Sequence, residues 1–133
     1  MIKFFKSKNK KISDSTKPDE WPTHVVTLNN SNFNEFINKY PLSIIDFWAP
    51  WCVPCKTMLP RLRRLERIYS GKIAFGRVNT QTEKNITKDQ NIMGIPYFCI
   101  FHYGKKIGNF TGIKSVGDMK NIIDNIIIKY IKK

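Results

Sequence analysis

Ile44-Ile45-Asp46-Phe47-Trp48-Ala49-Pro50-Trp51-Cys52-Val53-Pro54-Cys55-Lys56 is the stretch whose reading decides the fold. Residues 43–48 are apolar on both faces except at Asp46, the pattern of a strand buried in the middle of a sheet. A helix follows, because Cys55, Met58, Leu59, Leu62, Leu65 and Tyr69 recur on one stripe at helical spacing. The strand therefore delivers two cysteines, three positions apart, to a helix N-terminus. Unpaired N–H groups and the positive end of the helix dipole stabilise an anion there, so a sulfur in that place ionises near neutral pH. Cys52 is a candidate nucleophile, and Cys55, one turn further in, can attack a mixed disulfide formed on it. The spacing points to reversible thiol–disulfide exchange.

Other uses of the cysteines fit less well. A zinc site usually needs four ligands, and Cys99, His24 and His102 supply no second pair at zinc-finger spacing, so no metal is expected. A purely structural bridge across two residues closes a very small loop and constrains little unfolded-chain entropy. Cys99, inside Tyr97-Phe98-Cys99-Ile100-Phe101, reads as a small buried hydrophobe, and the two histidines as surface cover at strand margins.

The segment from Asp46 to Lys56 resembles the signature of the thioredoxin family, with Val53 where most bacterial members carry glycine. Gly94-Ile95-Pro96 matches the family's cis-proline element, and Gly104, Gly108 and Gly112 punctuate the last hairpin as they do there. The resemblance covers roughly residues 23 to 131. It implies a three-layer α/β/α sandwich around a central mixed five-stranded sheet. Gln81, Met93 and Tyr97 depart from the residues common at matching positions in bacterial relatives.

Length and composition agree independently. The chain has 133 residues, 41% of them hydrophobic, enough for one domain with a core and too few for two ordinary ones. Residues 1–22, with six lysines and few apolar side chains after Phe5, read as a basic, mobile tail, and residues 23–133 as the domain. Three cysteines do not make a secreted disulfide framework. The N-terminus carries lysines where a secretory apolar stretch would stand, and nothing approaches the ~20 apolar residues of a membrane span. A reducing cytoplasm is the expected compartment.

The net charge of +13 is dispersed: the tail contributes +3 and the domain the other +10. It reads as a solvated basic surface, with no specific nucleic-acid site. Arg61, Arg63, Arg64 and Arg67, on the water-facing side of the cysteine helix, form its densest patch and suit acidic protein partners.

Periodicity predicts strands over residues 24–28, 43–48, 72–79, 97–103 and 106–110. It predicts helices over 33–40, from the cysteines to Tyr69, over 83–90 and from Ser115 onward, capped in the first case by Asn29, Asn30 and Ser31. Pro60 falls inside the cysteine helix, where a kink is expected.

Asp46 stands in a strand that is otherwise apolar, and desolvation would raise its pKa toward neutrality. The resemblance places it beneath Cys55, as the base that assists deprotonation of that thiol. A buried aspartate satisfied by backbone donors or water is the structural alternative. Arg77 matches a position where many relatives keep a lysine near this carboxylate; an arginine cannot lose its charge and would hold Asp46 more ionised. Pro96 alone shows a proline at a strand entry, for which trans is the more frequent state; the resemblance implies a cis bond after Ile95, with that residue's backbone open to an extended substrate. The resemblance also gathers Trp51, Val53, Pro54, Ile95, Gly112 and Ile113 into a flat apolar collar around Cys52.

The function so implied is a monomeric protein-disulfide reductase that needs no bound cofactor, because the Cys52–Cys55 pair carries the electrons. Its partners would be disulfide-containing proteins and a flavin- or ferredoxin-dependent thioredoxin reductase. An oxidant or isomerase of the protein-disulfide-isomerase type is an alternative on the same fold, although relatives of that kind usually place histidine between the cysteines and this chain has Val53-Pro54. A tethered interaction module is another, against which the intact cysteine pair, Asp46 and Pro96 argue.

Overall fold

The computed structural model describes residues 20–131; the tail expected over 1–22 lies outside the described residues up to position 19. The elements are β1 (Val26–Leu28), α1 (Phe33–Lys39), β2 (Ser43–Trp48), α2 (Val53–Ile68), β3 (Ala74–Asn79), α3 (Lys84–Asp89), β4 (Tyr97–His102), β5 (Lys105–Thr111) and α4 (Val116–Tyr130). They build one five-stranded sheet in the order β1-β3-β2-β4-β5. β1, β3 and β2 run parallel, while β4 and β5 are antiparallel additions. β2 is the middle strand, as its two-sided apolar pattern requires, and the sheet is mixed as expected.

Side chains alternate across β2, so Ile44 and Asp46 face one side of the sheet and Ile45 and Phe47 the other. On the first side Ile44 joins Met58, Leu62 and Leu65 of α2 and Met119 and Ile123 of α4 in one buried cluster. On the second, Ile45 and Phe47 pack with Phe33, Phe36 and Ile37 of α1 and Ile86 of α3. The three layers follow directly.

Local chemistry sets the element ends. The Asn29 carboxamide accepts from the Ser31 and Asn32 N–H groups at 2.9 and 3.1 Å, turning the chain into α1. Ser115 caps α4 by accepting from the Asp118 N–H at 3.0 Å. The β4–β5 hairpin turns through Tyr103 and Gly104, both at positive φ, where Gly104 carries no steric penalty. α2 carries Pro60 within one element that runs from Val53 to Ile68.

Three sequence expectations are corrected. Trp21, assigned to the tail, packs against Tyr40 with ring centroids 5.2 Å apart and adjoins the α1-side core, so the folded unit begins before residue 23. Arg61 is not a free surface charge, since its Nη1 donates to the Lys114 carbonyl at 2.8 Å and ties α2 to the loop before α4. His102 does more than cover surface: its Nδ1 lies 2.8 Å from the Pro41 carbonyl oxygen. Cys99 is buried, as its apolar strand required.

The position of Trp21 carries a measurable consequence. Trp21→Ala should lower unfolding stability by about 1–2 kcal/mol, from lost apolar burial against Tyr40, whereas His24→Ala, at an exposed position, should change it by less than ~0.5 kcal/mol. Urea denaturation of the two variants checks this.

Candidate active site

β2 ends at Trp48, and the buried Ala49 accepts a hydrogen bond from the Cys52 N–H at 3.1 Å, fixing the turn into α2. Cys52 is the N-cap residue, with extended backbone angles, and Pro54 lies in the first turn, where its missing N–H costs no helical bond. The Cys55 N–H donates to the Cys52 sulfur at 3.2 Å. The two cysteines form a disulfide with a Cα–Cα distance of 5.3 Å. Both are nearly inaccessible, Cys55 the more so.

Around the buried sulfurs the surface is apolar and open. Trp51 and Val53 are each 69% exposed, so the side chain that Val53 adds projects into solvent. Ile95 packs with Ala49, Cys52 and Cys55, and the Ile95–Pro96 peptide bond is cis. The collar is grooved and not flat. A groove of about 440 Å³ runs between Trp51 and Ile95 and is lined by Gln81, Lys84 and Met93. A second, of about 380 Å³, runs from Ile95 and Pro96 past Tyr97 to Gly112. Gly112, at positive φ, donates to the Pro96 carbonyl at 3.0 Å, which joins the loop after β5 to the proline element. Ile113 is exposed beside it. Trp51, Ile95, Pro96 and Gly112 thus share the groove system, with Val53 and Pro54 adjoining Cys52 along the chain.

Asp46 is wholly inaccessible, in the middle strand and on the α2 side of the sheet. It faces Arg77 across the β2–β3 register, and the Arg77 Nε donates to Oδ2 at 3.2 Å. The Arg77 guanidinium stacks over the Trp48 ring, 4.1 Å from its centroid. No described group donates to Oδ1. Burial pushes the Asp46 carboxyl from 3.8 up to about 6, and the charge and hydrogen bond of Arg77 pull against that rise without cancelling it. The expected opposition between burial and Arg77 is present, and burial prevails. Among the described residues no group of three or more His, Cys, Asp or Glu side chains could hold a metal ion.

The sequence model of the thioredoxin family matches residues 24–125. The chain belongs to the thioredoxin family. It is 36% identical over 97 residues to the chloroplastic M-type thioredoxin of Spinacia oleracea, covering 72% of this chain and 54% of that one, so it spans about half that relative's length. It is 30% identical over 104 residues to the thioredoxin of Buchnera aphidicola, covering 77% of this chain and 96% of that one. A solved structure of Plasmodium falciparum thioredoxin superposes with a TM-score of 0.71 at 26% identity, covering 76% of this chain and 98% of that one. Family membership together with the Cys52–Cys55 pair makes this chain a thiol–disulfide oxidoreductase and supports protein-disulfide reductase activity.

Sequence reasoning missed two features of this thioredoxin site. Lys114 bonds to α2 twice, its carbonyl accepting from Arg61 and its N–H donating to the Met58 sulfur at 3.4 Å, and so fixes the loop that carries Gly112 and Ile113. Glu66 is buried although its helix neighbours Arg63, Arg64 and Arg67 are exposed; apolar residues at positions 62 and 65 were the signal that this part of α2 faces inward.

The raised pKa of Asp46 fixes the sign of a stability effect. A group whose folded pKa lies above its unfolded value contributes stability below the unfolded value and loses it as pH rises through the folded one. Ionised Asp46 therefore burdens the oxidised protein above pH 6, by roughly 3 kcal/mol for a rise from 3.8 to about 6. Asp46→Asn should be more stable than the parent at pH 8 by up to about that amount, and the gain should vanish near pH 4. Denaturant unfolding at the two pH values measures it.

Proposed function

We propose that this thioredoxin reduces protein disulfides with Cys52 as attacking sulfur, Cys55 as resolving sulfur and Asp46 as the proton acceptor for Cys55. The observation that carries the order is the asymmetry of the pair: Cys52 caps the helix and receives the Cys55 N–H, while Cys55 lies one turn inside. The Cys52 thiolate attacks a substrate sulfur, a mixed disulfide forms, and the first substrate thiolate leaves and takes a proton from water. Cys55 then gives its proton to the Asp46 carboxylate and attacks the Cys52 sulfur. The second substrate thiolate leaves, and the protein ends with its disulfide formed and two electrons transferred.

The substrate strand lies in the grooves on either side of Ile95, with Trp51, Val53, Pro54, Pro96, Gly112 and Ile113 around it and the Ile95 backbone as its hydrogen-bonding partner. Arg77 sets the proton affinity of Asp46. A flavin- or ferredoxin-dependent thioredoxin reductase returns the two electrons, and the protein works as a monomer without a further cofactor. Its compartment is the cytoplasm, where thiols are kept reduced; three cysteines with only one close pair support that reading. An oxidant role draws no support from the site, which has no cationic side chain between the cysteines.

The trapping experiment distinguishes the two sulfurs. With insulin as substrate, Cys55→Ser should accumulate a covalent mixed disulfide on Cys52, and Cys52→Ser should trap none and lose reduction. Equal trapping by both variants, read by non-reducing electrophoresis, would reverse or abolish the assignment.

A further inference from the structure

Away from the cysteines, between α2 and the edge strand β1, lies a groove of about 370 Å³ lined by Arg63, Glu66, Arg67, Arg77, His24 and Thr27. Its volume is that of a small-ligand site. Arg77 forms the link to the interior. Its Nε is engaged by Asp46 and its flat face by Trp48, but among the described residues no acceptor pairs with its two Nη groups, although the side chain is only 17% exposed. Those Nη groups are open to the groove, since only Ser43 Oγ and Asp46 Oδ1 are buried without a partner among the described residues, and they can donate to a molecule bound there. Arg63 and Arg67 add two exposed guanidinium groups with no described hydrogen-bond or ion-pair partner. The second observation is Glu66: the residue is 5% exposed, lines the same groove, and no described donor pairs with its carboxylate, whose oxygens keep access to the groove.

Three arginines against two carboxylates, Glu66 and the Asp46 that engages Arg77, leave an excess positive charge that favours an anion, while Glu66 repels any anion that brings only lone pairs. An oxyanion bearing a hydroxyl resolves the conflict, because its bare oxygens accept from the arginines and its O–H donates to the Glu66 carboxylate. We propose that this groove binds inorganic hydrogen phosphate, held by Arg63, Arg67 and the outward face of Arg77 and selected by Glu66. Sulfate, fully deprotonated at neutral pH, lacks the required proton. The groove lies away from the cysteines and shares only Arg77 with Asp46, and binding is read without any assay of disulfide reduction.

The test is a titration of the oxidised full chain at pH 7 with inorganic phosphate, sulfate and glycerol phosphate, each against sodium chloride at matched ionic strength. The readouts are calorimetry and the NMR signal of the Arg77 Nε–H. Phosphate should bind saturably and about tenfold or more tighter than sulfate. Arg63→Gln with Arg67→Gln should weaken phosphate about tenfold while leaving insulin reduction unchanged, and Glu66→Gln should close the gap between phosphate and sulfate. Glycerol phosphate, mostly without a P–O–H at pH 7, should bind as weakly as sulfate, and tighter binding of it than of inorganic phosphate would overturn the role given to Glu66. Equal response to phosphate and sulfate, a response that only tracks ionic strength, an undiminished affinity in the double arginine variant, or an unchanged ratio in Glu66→Gln would overturn the proposal.

Discussion

The contact between Asp46 and Arg77 is the constraint on which the rest of the site depends. A carboxylate in the middle strand of a five-stranded sheet has lost its water, and in an all-apolar environment it would stay protonated through the physiological range. A two-pronged arginine pair would instead hold it ionised and unable to take up a proton. The observed arrangement is intermediate: one Nε bond to Oδ2, a guanidinium stacked on Trp48, and Oδ1 without a described donor. The resulting value of about 6 lies close enough to neutral pH for the carboxylate to accept a proton and release it again. The in-register pairing of Asp46 with Arg77 on parallel strands makes the contact, so the sheet topology is part of the chemistry.

Much of this was legible in the sequence because the informative residues are local. The two-sided apolar pattern of residues 43–48 matches β2 at both ends, and the cysteine spacing marks the start of α2. What depends on distant partners was not legible. β1 is shorter than residues 24–28 because only Val26–Leu28 finds partners, at Gly76, Arg77 and Val78. β3 starts at Ala74 because the N–H groups of Lys72 and Ile73 are drawn to the Tyr69 carbonyl to close α2. Trp21 reads as a lone aromatic among polar residues until Tyr40, far along the chain, supplies its partner. Helical periodicity divides α2 into a wet and a dry face, and cannot show that a carbonyl at Lys114 recruits Arg61 or that the edge strand shelters Glu66.

The surface over the sulfurs joins two properties with a common cause. The cysteines are buried by Ala49 and Ile95, which keeps the disulfide from casual exchange, while Trp51, Val53, Met93 and Ile113 stay exposed, Met93 at 93%. Exposed apolar side chains around a recessed reactive group suit a partner that brings an extended segment and covers the rim. Cutting the rim into two grooves adds direction to that contact, and Gln81, Met93 and Tyr97, the departures from bacterial relatives read in the sequence, all line them.

The most direct test of Asp46 as proton acceptor is the pH dependence of the resolving step, measured in a single turnover as release of the second substrate thiol. The wild-type rate should rise through an inflection near pH 6, the value set by burial against Arg77. In Asp46→Asn the inflection should be absent, with the rate at pH 7 lower by ~100-fold and the difference closing as pH approaches the thiol's own pKa, about 8.5. Superimposable profiles in the two proteins would contradict the account and leave Asp46 a structural acceptor for Arg77 alone.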